Sequence, residues 1–539
     1  MATHSVDIFD KKDEIIISSA EEKKLLKKLD LRIIPLLTLL FTLNFLDRVN
    51  IGNARLAHLE RDLNLTGVEF NWCLGIFFIG YVLFEVPSNI LLVKIKPSIW
   101  ISSLMVCWGI IMTSMAFVRN FSQLMGTRFI LGVFESGLFP AIVFYITKWY
   151  KRSERSYRIS LFFSGATIAG AFSGLLAFAI MNLDGKFGLS GWRWIFLIEG
   201  LATVIVSFFS YFLITDYAES ASWLTEDERK LAVNRLLLDE GHGHTTRFDK
   251  FQIFQAFTDL KVYIFMFMYF CILVIMYSFS FFLPTIVNGL GFNPVISQLL
   301  STPPFFLGCV TSITLAILAD RHKVRSPYLI SCLLAAIVGY ALLVSGNSSI
   351  ALKYSGACIV GLGTFACVPN LLAWTLNNLS GDLKRAVGCA MAISWGNLGG
   401  IVSAQLYRPN DAPTYKFGHS TALSLLIVAV ILSIIQYYHL NRMNKYKLKD
   451  PVRFFKGINE EDAKNLGDLH PSCEWRREWC PNGALNGVNG AANGVNGAAN
   501  GVNGAANEPM VLRMEQMELR MESMDTNFFE LHYQFYSIS

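Results

Sequence analysis

The amino-acid sequence predicts an all-α integral membrane protein with twelve transmembrane helices, arranged as two six-helix halves. Of its 539 residues, 53% are hydrophobic and only 16% are charged. The mean hydropathy of the chain is +0.42. A soluble domain carries about 25% charged residues, because its surface faces water. Apolar stretches also recur at a length that crosses a hydrocarbon core of about 30 Å, which takes roughly 20 helical residues.

Twelve such apolar stretches follow one another along the chain. Each is expected to be a helix, because a membrane-spanning segment must pair its own backbone N–H and C=O groups. The longest polar interruption separates the sixth stretch from the seventh. The predicted spans 1 to 12 are 31–55, 70–92, 99–117, 122–147, 158–181, 192–214, 261–285, 300–319, 327–345, 354–377, 386–407 and 419–440.

These spans divide the chain into five segments. The loop after span 6 contains a charged helical stretch, in which Thr225 and Glu228 match a capping box. Beyond span 12 the composition is polar, and a Gly-Val-Asn-Gly-Ala-Ala-Asn repeat at 487–507 predicts a flexible linker. The segments are an N-terminal segment 1–30, a first bundle 31–214, a central loop 215–260, a second bundle 261–440 and a tail 441–539.

Lysine and arginine residues predict the orientation of the spans. They gather in alternate loops, for example Lys94 and Lys96 after span 2 and Lys151 and Arg152 after span 4. Short loops rich in these residues stay on the cytoplasmic side. Both termini, the central loop and the tail are therefore expected to be cytoplasmic, and span 1 to act as an uncleaved signal anchor.

The composition also argues against several protein classes. The net charge of +5 arises mainly from basic loops, so nucleic-acid binding is not expected. The ten cysteines lie mostly in or beside the spans at irregular spacing, and no spacing matches a metal site. No nucleophile with a neighbouring base occurs in the spans. We therefore expect no enzyme activity, no metal and no cofactor.

Four charged side chains stand out inside the predicted spans. Asp47 and Arg48 lie about 16 residues into span 1, roughly 24 Å from its cytoplasmic end. Arg128 enters span 4 from the other side at a similar depth, and Glu135 follows two helical turns later on the same face. A charge inside the membrane is costly, so such residues usually face the bundle interior and serve function. The two pairs are expected to lie close together.

The chemistry of these side chains suggests two roles. An arginine keeps its proton and offers a planar fork, so Arg48 or Arg128 suits recognition of an anionic substrate. A carboxylate in a low-dielectric site exchanges a proton readily, so Asp47 or Glu135 suits proton binding. With Glu135 paired to Arg128, protonation would free the arginine for substrate. The alternative is that these residues form internal salt bridges that only hold helices together.

Two polar residues at similar depth are weaker candidates for the site. Tyr81 in span 2 and Asn397 in span 11 suit the lining of a cavity, although such residues equally often form hydrogen bonds between helices. Two similar six-helix halves are the usual architecture of an alternating-access transporter, which binds substrate between the halves near the membrane midplane.

Five motifs extend this interpretation to a family. With these motifs, residues 25–450 resemble the major facilitator superfamily, in particular its anion:cation symporter branch and the fungal allantoate and nicotinate permeases. The motifs are Leu-Asp-Arg-Val-Asn-Ile-Gly at 46–52, Phe-Glu-Val-Pro-Ser-Asn at 84–89, Arg-Phe-Ile-Leu-Gly-Val-Phe-Glu at 128–135, Gly-Trp-Arg-Trp-Ile-Phe-Leu-Ile-Glu-Gly at 191–200, and the loop Asp320-Arg321.

The resemblance implies roles for several residues. An arginine like Arg48 contacts the substrate carboxylate, with Tyr81 and Asn397 lining the site. Carboxylates like Asp47 and Glu135 carry the coupled protons. The gating residues implied are Asp320 and Arg321, with Arg325 in the same loop.

The function expected on this basis is proton symport across the plasma membrane. The substrate would be a small organic anion, such as nicotinate or a related vitamin or ureide carboxylate, and the protein would act as a monomer in the lipid bilayer. The alternative is a transporter-like receptor that binds such an anion and signals through its tail.

Overall fold

The protein is described here from a computed structural model, which covers residues 19–449 except 67, 241–249, 323, 346–348 and 380–381. Most of the predicted N-terminal segment, and the tail from residue 450 with its repeat at 487–507, lie outside the described residues. The described part of the chain is helical and contains no β-strand.

Seventeen α-helices occur in the described ranges, and together they supply twelve candidate membrane spans. The predicted fold class and span number are therefore confirmed. The helices are α1 (Ser19–Leu56), α2 (Leu59–Asp62), α3 (Glu69–Lys94), α4 (Pro97–Met115), α5 (Phe121–Glu135), α6 (Leu138–Thr147), α7 (Arg152–Met181), α8 (Gly191–Leu213), α9 (Glu226–Glu240), α10 (Lys250–Thr258), α11 (Leu260–Gly289), α12 (Pro294–Leu300), α13 (Thr302–His322), α14 (Ser326–Val344), α15 (Ile350–Asn377), α16 (Asp382–Ala404) and α17 (Lys416–Lys449).

Two of the membrane spans in the described chain are interrupted, the fourth well inside its predicted range and the eighth at the very start of its predicted range. Span 4 is formed by α5 and α6, which are separated at Ser136 and Gly137, and span 8 is formed by α12 and α13, separated at Ser301. Proline explains both positions, because it lacks a backbone N–H and its ring clashes with the preceding turn. Pro140 lies in the first turn of α6, and Pro303 lies in the first turn of α13.

The spans pack as two halves, and the most extensive contacts between the halves involve three helix pairs. Within the first half α1 packs on α7, α3 on α5, and α4 on α8. Within the second half α11 packs on α16, and α15 packs on both α13 and α14. Contacts between the halves join α1 to α11, α3 to α16, and α7 to α13. The surface between the halves is thus lined by spans 1, 2 and 5 on one side and spans 7, 8 and 11 on the other.

The halves meet closely on the side of the membrane where α1 ends and α3 begins, here called the distal side. The Nδ2 of Asn71 donates to the carbonyl oxygen of Ala404 at 2.6 Å. A Cβ added to Gly174 would lie 2.4 Å from the carbonyl oxygen of Gln298, so only glycine fits there. Gly174 therefore allows span 5 and α12 to approach closely.

Ion pairs attach the central loop to the first half. The predicted capping box is present at the start of α9, where Thr225 and Glu228 exchange hydrogen bonds of 3.0 and 3.3 Å. Lys28 Nζ lies 2.5 Å from Glu228 Oε2, and this hydrogen bond lowers the pKa of Glu228. Further along α9, Arg235 pairs with Glu154 at 2.9 Å. Since α10 packs on α16, the loop has one helix against each half.

Candidate functional site

The centre of the candidate site is an ion pair between α1 and α5. Nε and Nη2 of Arg48 donate to Oε2 of Glu135 at 3.1 and 3.0 Å. The same oxygen accepts from Asn44 Nδ2 at 3.1 Å, and both charged side chains are buried. Within the described chain, Oε1 of Glu135 has no hydrogen-bond partner. The hydrogen bonds that Glu135 accepts from the described residues therefore all go to Oε2, and Oε1 is available to accept a proton or a further hydrogen bond.

Aromatic rings enclose the Arg48 guanidinium. Its central carbon lies 5.0 Å from the ring centre of Tyr81, 5.2 Å from that of Phe77 and 5.9 Å from that of Tyr277. A cation gains favourable electrostatic energy over such ring faces. The rings also exclude water, which strengthens the ion pair. Tyr81 thus packs against the guanidinium of Arg48.

Hydrogen bonds connect this ion pair to the second half. Nη1 of Arg48 donates to the hydroxyl of Tyr277 at 3.1 Å, and this hydroxyl donates to Oδ1 of Asn397 at 3.1 Å. The resulting chain of Glu135, Arg48, Tyr277 and Asn397 crosses from the first half to the second. We call it the polar bridge. Arg48, Glu135, Tyr81 and Asn397 are therefore brought together, although they come from four separate spans.

Arg128 is placed differently from the sequence expectation. Glu135 forms its ion pair with Arg48, and Arg128 donates instead from Nε to the carbonyl oxygen of Cys73 at 3.4 Å. The guanidinium of Arg128 lies 5.0 Å from the ring centre of Phe77. Its two Nη atoms are buried and have no hydrogen-bond partner among the described residues. The predicted Arg128–Glu135 pair is thus replaced by Arg48–Glu135, because Arg48 extends from α1 to the carboxylate.

Asp47 also lies apart from the ion pair. Adjacent residues on a helix differ by about 100° in direction, and Asp47 contacts α4 and α8 rather than α5. Its Oδ2 accepts from Trp108 Nε1 at 3.1 Å and from Thr203 Oγ1 at 2.8 Å.

A second buried carboxylate occupies the same interface as Asp47. Glu199 accepts from Asn50 Nδ2 at 2.8 Å, one helical turn along α1 from Asp47. One oxygen of each carboxylate lacks a partner in the described part of the molecule. The first half therefore holds two acidic sites, one on each side of α1.

Glu85 is a fourth buried carboxylate, on α3. It is 3% exposed, and its Oε2 accepts from Ser394 Oγ of α16 at 3.1 Å. The side chain of Asn397, one turn further along α16, and the guanidinium of Arg48 lie near enough to influence this carboxylate electrostatically. Glu85 thus touches the end of the polar bridge from the opposite direction.

The predicted gating residues lie at the end of α13 and the start of α14. Asp320 forms an ion pair with Arg325, whose Nη1 also donates to Asn370 Oδ1 at 3.5 Å. Arg325 is buried, whereas Arg321 is exposed. The partner of Asp320 in this structure is thus Arg325.

Sequence reasoning missed Tyr277, Glu85 and Glu199. The two glutamates carry the signal already used for Asp47, a charge within an apolar span, and both belong to the family motifs quoted above. Tyr277 gave no such signal, because a tyrosine in an aromatic-rich span has many possible packing roles.

No group of three or more histidine, cysteine, aspartate or glutamate side chains suited to a metal occurs among the residues that the structure describes. The eight cysteines in these residues are free thiols.

Comparisons with known proteins place the chain in a family. Residues 37–404 match the model of the Major Facilitator Superfamily. An uncharacterized transporter of Schizosaccharomyces pombe is 35% identical over 83% of this chain and 89% of its own length. The high-affinity nicotinic acid transporter of Saccharomyces cerevisiae is 30% identical over 82% of this chain and 84% of its own length.

Solved structures agree with the fold. The xylose transporter XylE from E. coli, in a partially occluded inward open conformation, matches with a TM-score of 0.60 at 12% identity, covering 75% of this chain and 97% of that one. A bacterial homologue of the human lysosomal transporter Spinster matches with a TM-score of 0.57 at 15% identity, over 78% of this chain and 98% of that one. The chain therefore belongs to the Major Facilitator Superfamily and is a multi-pass membrane transporter.

Proposed function

We propose that this transporter is a proton symporter that imports a small organic anion, such as nicotinate or a related vitamin or ureide carboxylate, across the plasma membrane. The observation that carries the proposal is the buried Arg48–Glu135 ion pair, located between the halves with hydrogen bonds to both. The nicotinic acid transporter among its relatives supports the substrate class.

The ion pair supplies a way to couple proton and anion. A buried arginine or carboxylate without a partner is strongly destabilised, by about 3–5 kcal/mol when one member of a pair is removed. A proton on Glu135, whose Oε1 has no partner in the described structure, would weaken its hold on Arg48. Arg48 would then require another anion, and a substrate carboxylate matches its planar fork.

This exchange makes the two ligands depend on each other. With a proton alone, Arg48 is left without its counter-ion, and with an anion alone, Glu135 and the substrate compete for the same guanidinium. Binding both restores neutrality, and release of both restores the original pair. Net transport therefore moves the anion together with a proton, which is the definition of symport.

The other predicted residues are assigned around this pair. Tyr81 and Asn397 line the site beside Arg48, where each already contacts it directly or through Tyr277. Arg128, with two unpartnered nitrogens in the described chain, offers a second contact for the anion.

The remaining assignments concern protons and gating. Asp47 holds a further proton in its interface with Glu199. The Asp320–Arg325 pair, with Arg321 beside it, governs closure on the side of the membrane where α1 begins and α17 ends, which we assign to the cytoplasm.

Transport into proteoliposomes tests this function. With nicotinate outside and an inward proton gradient, we expect accumulation above the equilibrium concentration, and loss of this accumulation when a protonophore is added. Vesicles without the protein provide the background for passive entry of the acid. Protein-dependent uptake that is indifferent to the imposed gradient would refute proton coupling, while leaving facilitated transport of the anion intact.

A further inference from the structure

Glu85 differs from Glu135 in forming no direct ion pair within the described part of the chain, although Arg48 is near enough to influence it electrostatically. Both carboxylates lie between spans and are almost fully buried. Glu135 pairs with Arg48, whereas among the described residues no lysine or arginine lies within ion-pair distance of Glu85. Its contacts are the Ser394 hydroxyl and the Asn397 side chain. A buried carboxylate held only by neutral groups retains a strong demand for a hydrogen-bond donor or a cation.

Glu85 lies at the opposite end of the polar bridge from the ion pair. Asn397 accepts from Tyr277, which in turn accepts from Arg48, and the same Asn397 side chain interacts with Glu85. An arginine with five donors thus stands at one end of the bridge, and an acceptor-only carboxylate stands at the other. A single molecule that displaced the bridge would meet two chemically opposite ends.

Aromatic rings form the wall beside the bridge. The ring centre of Phe78 lies 4.7 Å from that of Tyr277, and Phe281 stacks on Tyr277 with an interplanar angle of 13°. Flat rings favour a flat ligand, because planar groups stack with offset geometry. The wall therefore suits a planar group between the two polar ends.

We propose that Glu85 recognises an N–H group of the substrate, at the end remote from the carboxylate that Arg48 binds. The inference rests on the proposed function, since it takes the carboxylate at Arg48 as given. The substrate class is an organic acid with a planar group and an N–H donor, such as a ureide or a ring nitrogen that carries a proton. A plain monocarboxylate of the same size leaves Glu85 without a donor.

The size of the discrimination follows from the hydrogen bond. A site built to bond an N–H rejects an analogue that lacks it, because the buried acceptor is left unpaired. A hydrogen bond to a charged group corresponds to roughly a tenfold to hundredfold difference in affinity. Ser394 Oγ, by contrast, contacts Glu85 without charge, so its loss is expected to leave most of this preference in place.

Calorimetric binding to the purified full-length protein tests the proposal with two matched pairs of acids. The first pair is nicotinate and benzoate at acidic pH, and the second is 4-ureidobutyrate and heptanoate. For the wild type we expect the nitrogen-bearing member of a pair to bind at least tenfold more tightly. Glu85→Gln keeps the shape and removes the charge, and it should reduce this ratio to about threefold or less. Ser394→Ala is the control and should retain the ratio.

Three outcomes would overturn the inference. The first is equal affinity of the wild type for the two acids of each pair. If Arg48→Ala abolishes this binding, the inference fails while the proposed function still stands. The second is an unchanged ratio in Glu85→Gln, which would show a carboxyl that is neutral and only joins the halves. The third is absence of binding for all four acids, which contradicts the proposed function as well.

Discussion

The two halves share an architecture but differ in where they carry charge. Among the described residues of the first half, six charged side chains lie inside the spans and are at most 5% exposed, whereas the buried charges of the described second half stand at helix ends. The first-half residues are Asp47, Arg48, Glu85, Arg128, Glu135 and Glu199, and the second-half residues are Lys261, Arg325 and Lys384.

The second half contributes neutral polar side chains to the interface between the halves. Tyr277 accepts a hydrogen bond from Arg48 and Ser394 donates one to Glu85, while Asn397 accepts from Tyr277 within the second half. Loss of one such hydrogen bond to a charged group costs about 1.5–3 kcal/mol, whereas breaking a buried ion pair costs about 3–5 kcal/mol. The difference indicates that the first half provides ion recognition and the second half provides orientation and closure. Mutations in the two halves should therefore differ in the size and in the type of their effects.

Arg48→Ala should have the largest effect, because it removes the charge from the centre of the first half. The change leaves Glu135 and a bound anion without a counter-ion, and binding of nicotinate should fall by about a hundredfold or more. Arg48→Lys keeps the charge but loses the planar fork, so its affinity should be intermediate. Calorimetric titration measures both variants. An unchanged affinity in Arg48→Ala would move the anion site to Arg128.

Glu135→Gln should abolish proton-driven accumulation while changing the affinity for substrate only slightly. Glutamine preserves the shape and mimics a carboxyl that always holds its proton, so Arg48 stays available to substrate. Exchange of labelled for unlabelled nicotinate across vesicles should persist within a few-fold, while accumulation driven by a proton gradient should be lost. Accumulation at the wild-type level would place the coupled proton elsewhere, with the Asp47–Glu199 interface as the next site to test by Glu199→Gln.

Tyr277→Phe should have the smallest effect, since it removes one neutral hydrogen-bond partner on the second half. The loss of its bond to the charged Arg48 corresponds to roughly a tenfold weaker binding, at the lower end of the range for a hydrogen bond to a charged group. Tyr269→Phe is the matched control on the same helix, because its hydroxyl donates only to the Val368 carbonyl at 3.5 Å. A hundredfold loss of binding affinity in Tyr277→Phe would contradict the proposed difference between the halves.

The architecture could be predicted from the sequence for a simple physical reason. Spanning a membrane requires about 20 apolar residues with internally paired backbone groups, and this requirement is local. The twelve spans and the capping box at Thr225 both follow from such local rules. The cost of a charge in a span is equally local, so Asp47, Arg48, Arg128 and Glu135 were identifiable before any fold was known.

Pairing of the charges was decided only by the tertiary structure. Spacing of seven residues placed Arg128 and Glu135 on one face of a helix, yet Glu135 pairs with Arg48 from another span. Adjacent Asp47 and Arg48 similarly enter different interfaces. Which face of a helix meets which neighbour depends on helix rotation and on contacts distant in sequence. The sequence by itself determined which charges enter the membrane, and the packing of the spans determined which of them meet.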